Sequence, residues 1–98
     1  MGKKLKSILT DDMDHCMFTG SEIVERHHVF GGSRKKNSEK YGFIAPLFPE
    51  LHPNGVFFKP TEENKKIDMI LKTRCQKWYE ENIGSREDFI HEFGKSYL

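Results

Sequence analysis

Arg26-His27-His28-Val29-Phe30-Gly31-Gly32, with His52 arriving after a second apolar run, supplies three imidazoles to one short region of the chain. Neutral imidazole ligates divalent metals and takes protons near pH 7, so two adjacent histidines and a third can divide metal binding from general-base chemistry. Successive side chains leave a strand on opposite faces, so adjacent histidines diverge unless the strand ends beneath them. Gly31-Gly32 provides that exit. One imidazole can then hold a metal while its neighbour stays free to deprotonate water. The third can complete the protein ligands and leave positions open for phosphate and water, the makings of a metal-assisted phosphodiesterase. The competing reading is a surface His-His pair, solvated or bonded to a nearby carboxylate such as Glu25.

The elements that must position these residues follow from periodicity and turn chemistry. A Phe18-Thr19-Gly20-Ser21 turn leads into the alternation Ile23-Val24-Glu25-Arg26, which predicts a strand ending at the histidines. Arg34, Lys35, Lys36 and Lys40 follow in a glycine-free stretch expected to be a loop. Residues 42–48 form a short apolar run, and Pro46 assigns it to an edge or bent strand. Residues 49–55 are expected to form a tight turn or one helical turn carrying His52, and Val56-Phe57-Phe58 a small strand. Thr61 caps a predicted helix with Ile67, Leu71, Cys75 and Trp78 on its core face and Gly84 at its end. Ser85 caps another, with Asp88 at the capping-box position, Phe89, Ile90 and Phe93 facing the core, and Gly94 as its stop. His15 and His91 are read as surface or capping residues.

Ninety-eight residues allow one small domain with a modest core, and 8 Phe, 3 Tyr and 1 Trp are enough aromatics to fold it. The formal net charge of +1 excludes a global field for nucleic acid, so such a partner must meet a local patch. Arg34, Lys35, Lys36 and Lys40, opposed only by Glu39, form one. Lys3, Lys4 and Lys6 are read as a solubilising terminus or a second basic arm. Two distant cysteines, Cys16 and Cys75, make no disulfide framework and are expected to be thiols in a reducing compartment. No apolar run is long enough to span a bilayer, and the start lacks a signal peptide's apolar region; no membrane partner and a cytoplasmic location are expected.

His27-His28-Val29-Phe30-Gly31-Gly32, Asn37-Ser38-Glu39-Lys40-Tyr41-Gly42, Leu47-Phe48-Pro49-Glu50-Leu51-His52, Gly55-Val56 and Phe93-Gly94-Lys95-Ser96-Tyr97-Leu98 together resemble the small phage and prophage HNH-type (His-Me finger) nucleases and recombination-associated proteins. The similarity runs over most of the chain from Cys16 onward. It implies an α+β fold in one HNH-like domain: a charged lead-in at 1–15, a ββα-metal core at 16–58 and a helical scaffold at 60–94. By resemblance, His27 and His52 stand where the family binds its divalent metal (Mg, Mn, or a transition metal such as Zn or Ni) and His28 where it has its general base. Asn37 is the candidate for the middle Asn that orients the base-bearing loop, and is equally suited to a turn. Many relatives hold a structural zinc on two Cys-x-x-Cys pairs. Here these read Cys16-Met17-Phe18-Thr19 and Phe48-Pro49-Glu50-Leu51, so no structural zinc is expected, and Phe48 and Leu51 are expected to pack as core instead. A further histidine of many relatives is replaced by Phe57, leaving Asn54 as a conceivable extra ligand or, on its own chemistry, a Pro-Asn-Gly turn residue. The implied activity is a metal-dependent DNA endonuclease or nickase, phage or prophage encoded, with DNA and a recombination or packaging protein as partners. The alternative is a degenerate module of the same fold that binds DNA or a protein without cleaving.

Overall fold

Four buried residues, Ile44–Leu47, form the strand on which the rest is built. This strand, β2, pairs antiparallel with β1, Glu25–His28, in the register Glu25↔Leu47, Arg26↔Pro46, His27↔Ala45 and His28↔Ile44. The computed structural model describes residues 6–53 and 55–98; Lys3, Lys4 and Asn54 therefore lie outside the described residues. Its described elements are this two-stranded sheet, three α-helices and two 3-10 turns, a mixed α+β architecture.

Pro46 has no N–H to give a ladder, and its place in β2 respects that limit. Its carbonyl points away from β1 and accepts from the Met17 N–H at 3.1 Å. On the same strand the Ser7 hydroxyl donates to the Ile44 carbonyl, and just before it Ile8 N–H donates to the Gly42 carbonyl at 2.9 Å. The described part of the expected lead-in thus covers the outer edge of β2, with Ile8, Leu9 and Met17 packed on the core. Unpaired strand edges invite association, so covering one is a structural task that charge content alone does not reveal. Asp11, Asp12 and Asp14 are exposed.

The stretch between the strands corrects the expectation of a loop. Gly32, with φ 57°, takes the left-handed turn that lets the chain leave β1 into a 3-10 turn over Gly32–Arg34. Helix α1, Lys35–Tyr41, follows at once and ends at Gly42 in the left-handed conformation, φ 76° and ψ 31°. Ser38, fully buried on α1, accepts from the Phe30 N–H at 3.0 Å and donates to the Phe30 carbonyl at 2.7 Å, tying the helix to the end of β1. Its helical character hides in the sequence because seven residues carry too few apolar side chains for a stripe.

Helix α2, Glu62–Asn82, is capped by Thr61, whose hydroxyl accepts from Asn64 N–H at 3.1 Å. Its buried stripe is Ile67, Leu71, Cys75 and Tyr79, with Trp78 only partly buried. Helix α3, Arg86–Phe93, has the expected Ser85/Asp88 capping box and stops at Gly94. Phe89 and Phe93 are buried, whereas Ile90 is 37% exposed and leaves the expected core list. Phe30, Phe43, Phe89 and Phe93 meet in one aromatic cluster, with Phe30 and Phe93 rings 4.5 Å apart.

Two further expectations change. Val56-Phe57-Phe58 is turn and irregular backbone, with Val56 and Phe57 exposed. A strand there would need a partner edge, and the N-terminal segment already occupies the outer side of β2. Leu51 packs partly buried against the core, but Phe48 instead shares a shallow apolar depression with Ile23 and Phe57. Cys16 and Cys75 are buried free thiols, and burial pushes the Cys75 thiol pKa far up. Among the described residues no helix is long and apolar enough to cross a membrane.

Candidate metal and phosphate site

Glu25 and His27 leave β1 on the same face, and both meet the segment that follows β2. The ring centroids of His27 and His52 lie 4.9 Å apart at 65°. His52 is carried just past the 3-10 turn Pro49–Leu51, and its Nδ1 donates to Glu25 Oε1 at 2.7 Å. A carboxylate on one imidazole nitrogen fixes the ring and the tautomer, leaving Nε2 as the free ligand atom. Glu25 thus bonds the third histidine and not the adjacent pair.

His27 is the most enclosed of the three. Its side chain is 9% exposed, and its Nε2 is buried without a hydrogen-bond partner. Burial lowers the imidazole pKa, and the Asp68 carboxylate opposes that shift only in part, so the ring favours the neutral form that ligates metal. Asp68 of α2 faces it with Oδ1 3.8 Å from Nε2, beyond hydrogen-bond reach. The other oxygen, Oδ2, accepts from Lys72 Nζ at 2.8 Å. Burial pushes the Asp68 carboxyl up, but His27 and the Lys72 ammonium outweigh it and leave the pKa below its ordinary value. Lys72 Nζ also sits 5.3 Å over the Tyr97 ring, and Tyr97 N–H is held by the buried Gln76 side chain at 2.6 Å. The C-terminal segment therefore braces one wall of the site.

His28 takes a separate direction. Its Nε2 donates to Glu39 Oε1 of α1 at 2.9 Å, which leaves Nδ1 without that partner. All three histidines line one cleft of about 370 Å³, whose cationic lining is Arg26, Lys35 and Lys72. Among the described residues no three His, Cys, Asp or Glu side chains stand in an arrangement that could hold a metal ion.

Other residues singled out from sequence lie elsewhere. Arg34 donates from a guanidinium nitrogen to the Glu92 carbonyl at 3.1 Å, and Asn37 Nδ2 donates to the same carbonyl at 2.9 Å. Lys40 Nζ is 3.7 Å from the Glu92 carboxylate. The last carbonyls of α3 have no helical partners, and the Arg34 guanidinium and Asn37 amide of the docked α1 region satisfy one of them, while Lys40 meets the Glu92 carboxylate. Lys35 lines the cleft, and Lys36 is exposed on α1. His15 bonds Asp12 near the surface, and His91 is exposed. Sequence reasoning missed Asp68 and Arg26 as cleft residues, and Glu39 as the partner of His28. Asp68 is adjacent to the core residue Ile67, but only the register of α2 against β1 shows which wall it joins. No protein-family model, curated protein or solved structure matches this chain.

Proposed function

We propose that this protein is a metal-dependent DNA endonuclease or nickase of the HNH type, with its ββα-metal core in residues 16–58, built on β1 and β2. The observation that carries the reading is His27: a buried imidazole nitrogen with no partner, packed beside a second imidazole that is itself oriented by a carboxylate. Leaving a buried polar atom unpaired costs about 1–3 kcal/mol, a cost that a ligand on that nitrogen removes. His27 and His52 are the metal-binding residues in this reading. A divalent ion held there would supply positive charge to the scissile phosphate and its leaving oxygen.

The remaining chemistry belongs to the chain. His28, anchored through Nε2 to Glu39, takes a proton from water at Nδ1. Glu39 fixes the ring and stabilises it once charged. Arg26, Lys35 and Lys72 bring three cations to the cleft and bind the phosphates that flank the reacting one. The partner is DNA, and a phage recombination or packaging protein is the partner class that the family likeness suggests. A non-cleaving module that binds a protein is favoured by one feature, the exposed apolar group of Ile23 at 66% and Phe57 at 65% beside Phe48.

Incubating the purified protein with supercoiled plasmid separates these readings. Nicked or linear product is expected with Mg²⁺, Mn²⁺, Ni²⁺ or Zn²⁺ and none with chelator. Intact plasmid with every metal would overturn the enzyme and leave the binding module.

The basic residues give a second expected outcome. With Arg34 and Lys40 engaged by Glu92, Lys35 and Lys36 are the members of the run still available to DNA. Replacing both with Gln should lower the slope of log affinity against log salt by about 1.8, at roughly 0.9 for each phosphate of B-form DNA that is no longer neutralised. Adding Arg34→Gln should lower stability instead of the slope. Fluorescence anisotropy across a salt series, with thermal unfolding alongside, checks both halves. An unchanged slope in the double variant assigns phosphate binding to Arg26 and Lys72.

A further inference from the structure

We infer that Asp68, on α2, is the third protein ligand of the metal site, joining His27 and His52; the inference rests on the metal-dependent reading above. Two features meet at this carboxylate. The partnerless Nε2 of His27, on a side chain 9% exposed, faces Asp68 Oδ1 across 3.8 Å. That gap is too long for a hydrogen bond, yet two ligand bonds of about 2.0–2.2 Å to one ion can span it. Asp68 also lines the same cleft as His27 and His52, so its carboxylate reaches the site from a second wall.

The partner of Asp68 explains how a half-buried carboxylate is kept there without an ion. Lys72, one turn along α2, holds Oδ2 at 2.8 Å and is itself placed over the Tyr97 ring. The ammonium supplies the positive charge beside the carboxylate, while Oδ1 remains directed at His27. A ligand set of two neutral imidazoles and one carboxylate suits Zn²⁺, Mn²⁺ or Ni²⁺ and leaves coordination positions for water and phosphate. In this arrangement Lys72 competes with the ion for Asp68, and the two roles can be separated by substitution.

The test is isothermal titration of Mn²⁺ and Zn²⁺ into the full chain and its variants, with far-UV circular dichroism to monitor folding. The parent is expected to bind one ion, and His27→Ala to lose it. Asp68→Asn is expected to weaken binding at least about tenfold, with Asp68→Glu recovering part of the loss. Lys72→Met should bind as tightly as the parent or more tightly, because the carboxylate loses its competitor. If Asp68 served only to pair with Lys72, Asp68→Asn and Lys72→Met would shift metal affinity alike. Parent-like affinity in Asp68→Asn, with binding lost in His27→Ala, would overturn this inference and leave the nuclease reading standing. A parent that binds neither ion would overturn that reading itself. Should Asp68→Asn fail to fold, Asp68→Glu and Lys72→Met carry the decision: parent-like affinity in Asp68→Glu together with a weakened Lys72→Met would count against ligation.

Discussion

Replacing His28 with alanine is expected to slow metal-dependent plasmid cleavage by about 10²–10⁴, the usual loss when a general base is removed. Metal affinity should stay at the parent value, because His27 and His52 meet on one wall while His28 is anchored to Glu39 of α1. The variant should also fold, since His28 sits at the last position of β1 and outside the main hydrophobic cluster. Glu39→Gln keeps a hydrogen-bonding side chain beside Nε2 but removes the charge that stabilises a protonated ring. It should lower the rate by less than His28→Ala, and the double variant should be no slower than His28→Ala alone if Glu39 acts through the ring. Cleavage rates on supercoiled plasmid, measured at saturating metal, check the series. Parent-like cleavage by His28→Ala from a preparation free of contaminating nuclease would remove His28 from the chemistry.

The difference between His28 and Asn37 shows where sequence is informative about this site. Adjacent histidines followed by Gly31-Gly32 mark a strand end, and β1 does end at His28, with Gly32 making the left-handed turn. The caps of α2 and α3 are equally legible, because Thr61 and the Ser85/Asp88 box act on backbone groups within three residues. Asn37, Arg34 and Lys40 look like site residues for their chemistry and proximity to the histidines. Their engagement by Glu92 depends on where α3 docks, a tertiary arrangement that no local spacing contains. Asp68 is the converse case. It reads as one polar residue on an amphipathic helix, and it becomes part of the cleft only because the Ile67–Leu71–Cys75–Tyr79 stripe sets the rotation of α2. The N-terminal segment escaped for a similar reason, since the bonds along β2 from the Ser7 hydroxyl and the Ile8 and Met17 N–H groups depend on where the segment docks.

That dependence of the site on helix docking makes Phe43→Ala the most damaging core change expected in this fold. Phe43 is fully buried and its ring lies 5.4–5.8 Å from those of Phe93, Tyr41, Phe30 and Trp78, so it joins α1, α2 and α3 to the end of β1. Truncating a buried Phe costs about 3–5 kcal/mol, against a total of about 5–15 kcal/mol for a domain. The melting temperature should fall by roughly 12–40 °C, on the scale of about 4–8 °C per kcal/mol for a domain of this size. Ile90→Ala, on the exposed side of α3, should shift it far less. The backbone bond from Val29 N–H to the Phe43 carbonyl, 2.9 Å long, does not need the ring. At low temperature the folded fraction of the variant should therefore bind metal as the parent does. Metal at one hundred times its dissociation constant should then stabilise parent and variant alike by about 2.7 kcal/mol, because it binds only folded protein. Thermal unfolding with and without metal checks this. A variant that melts like the parent would show that Phe43 does not join the helices to the strand. One that melts early and gains nothing from metal would show that the packing around Phe43 sets the geometry of the site as well as the stability of the fold.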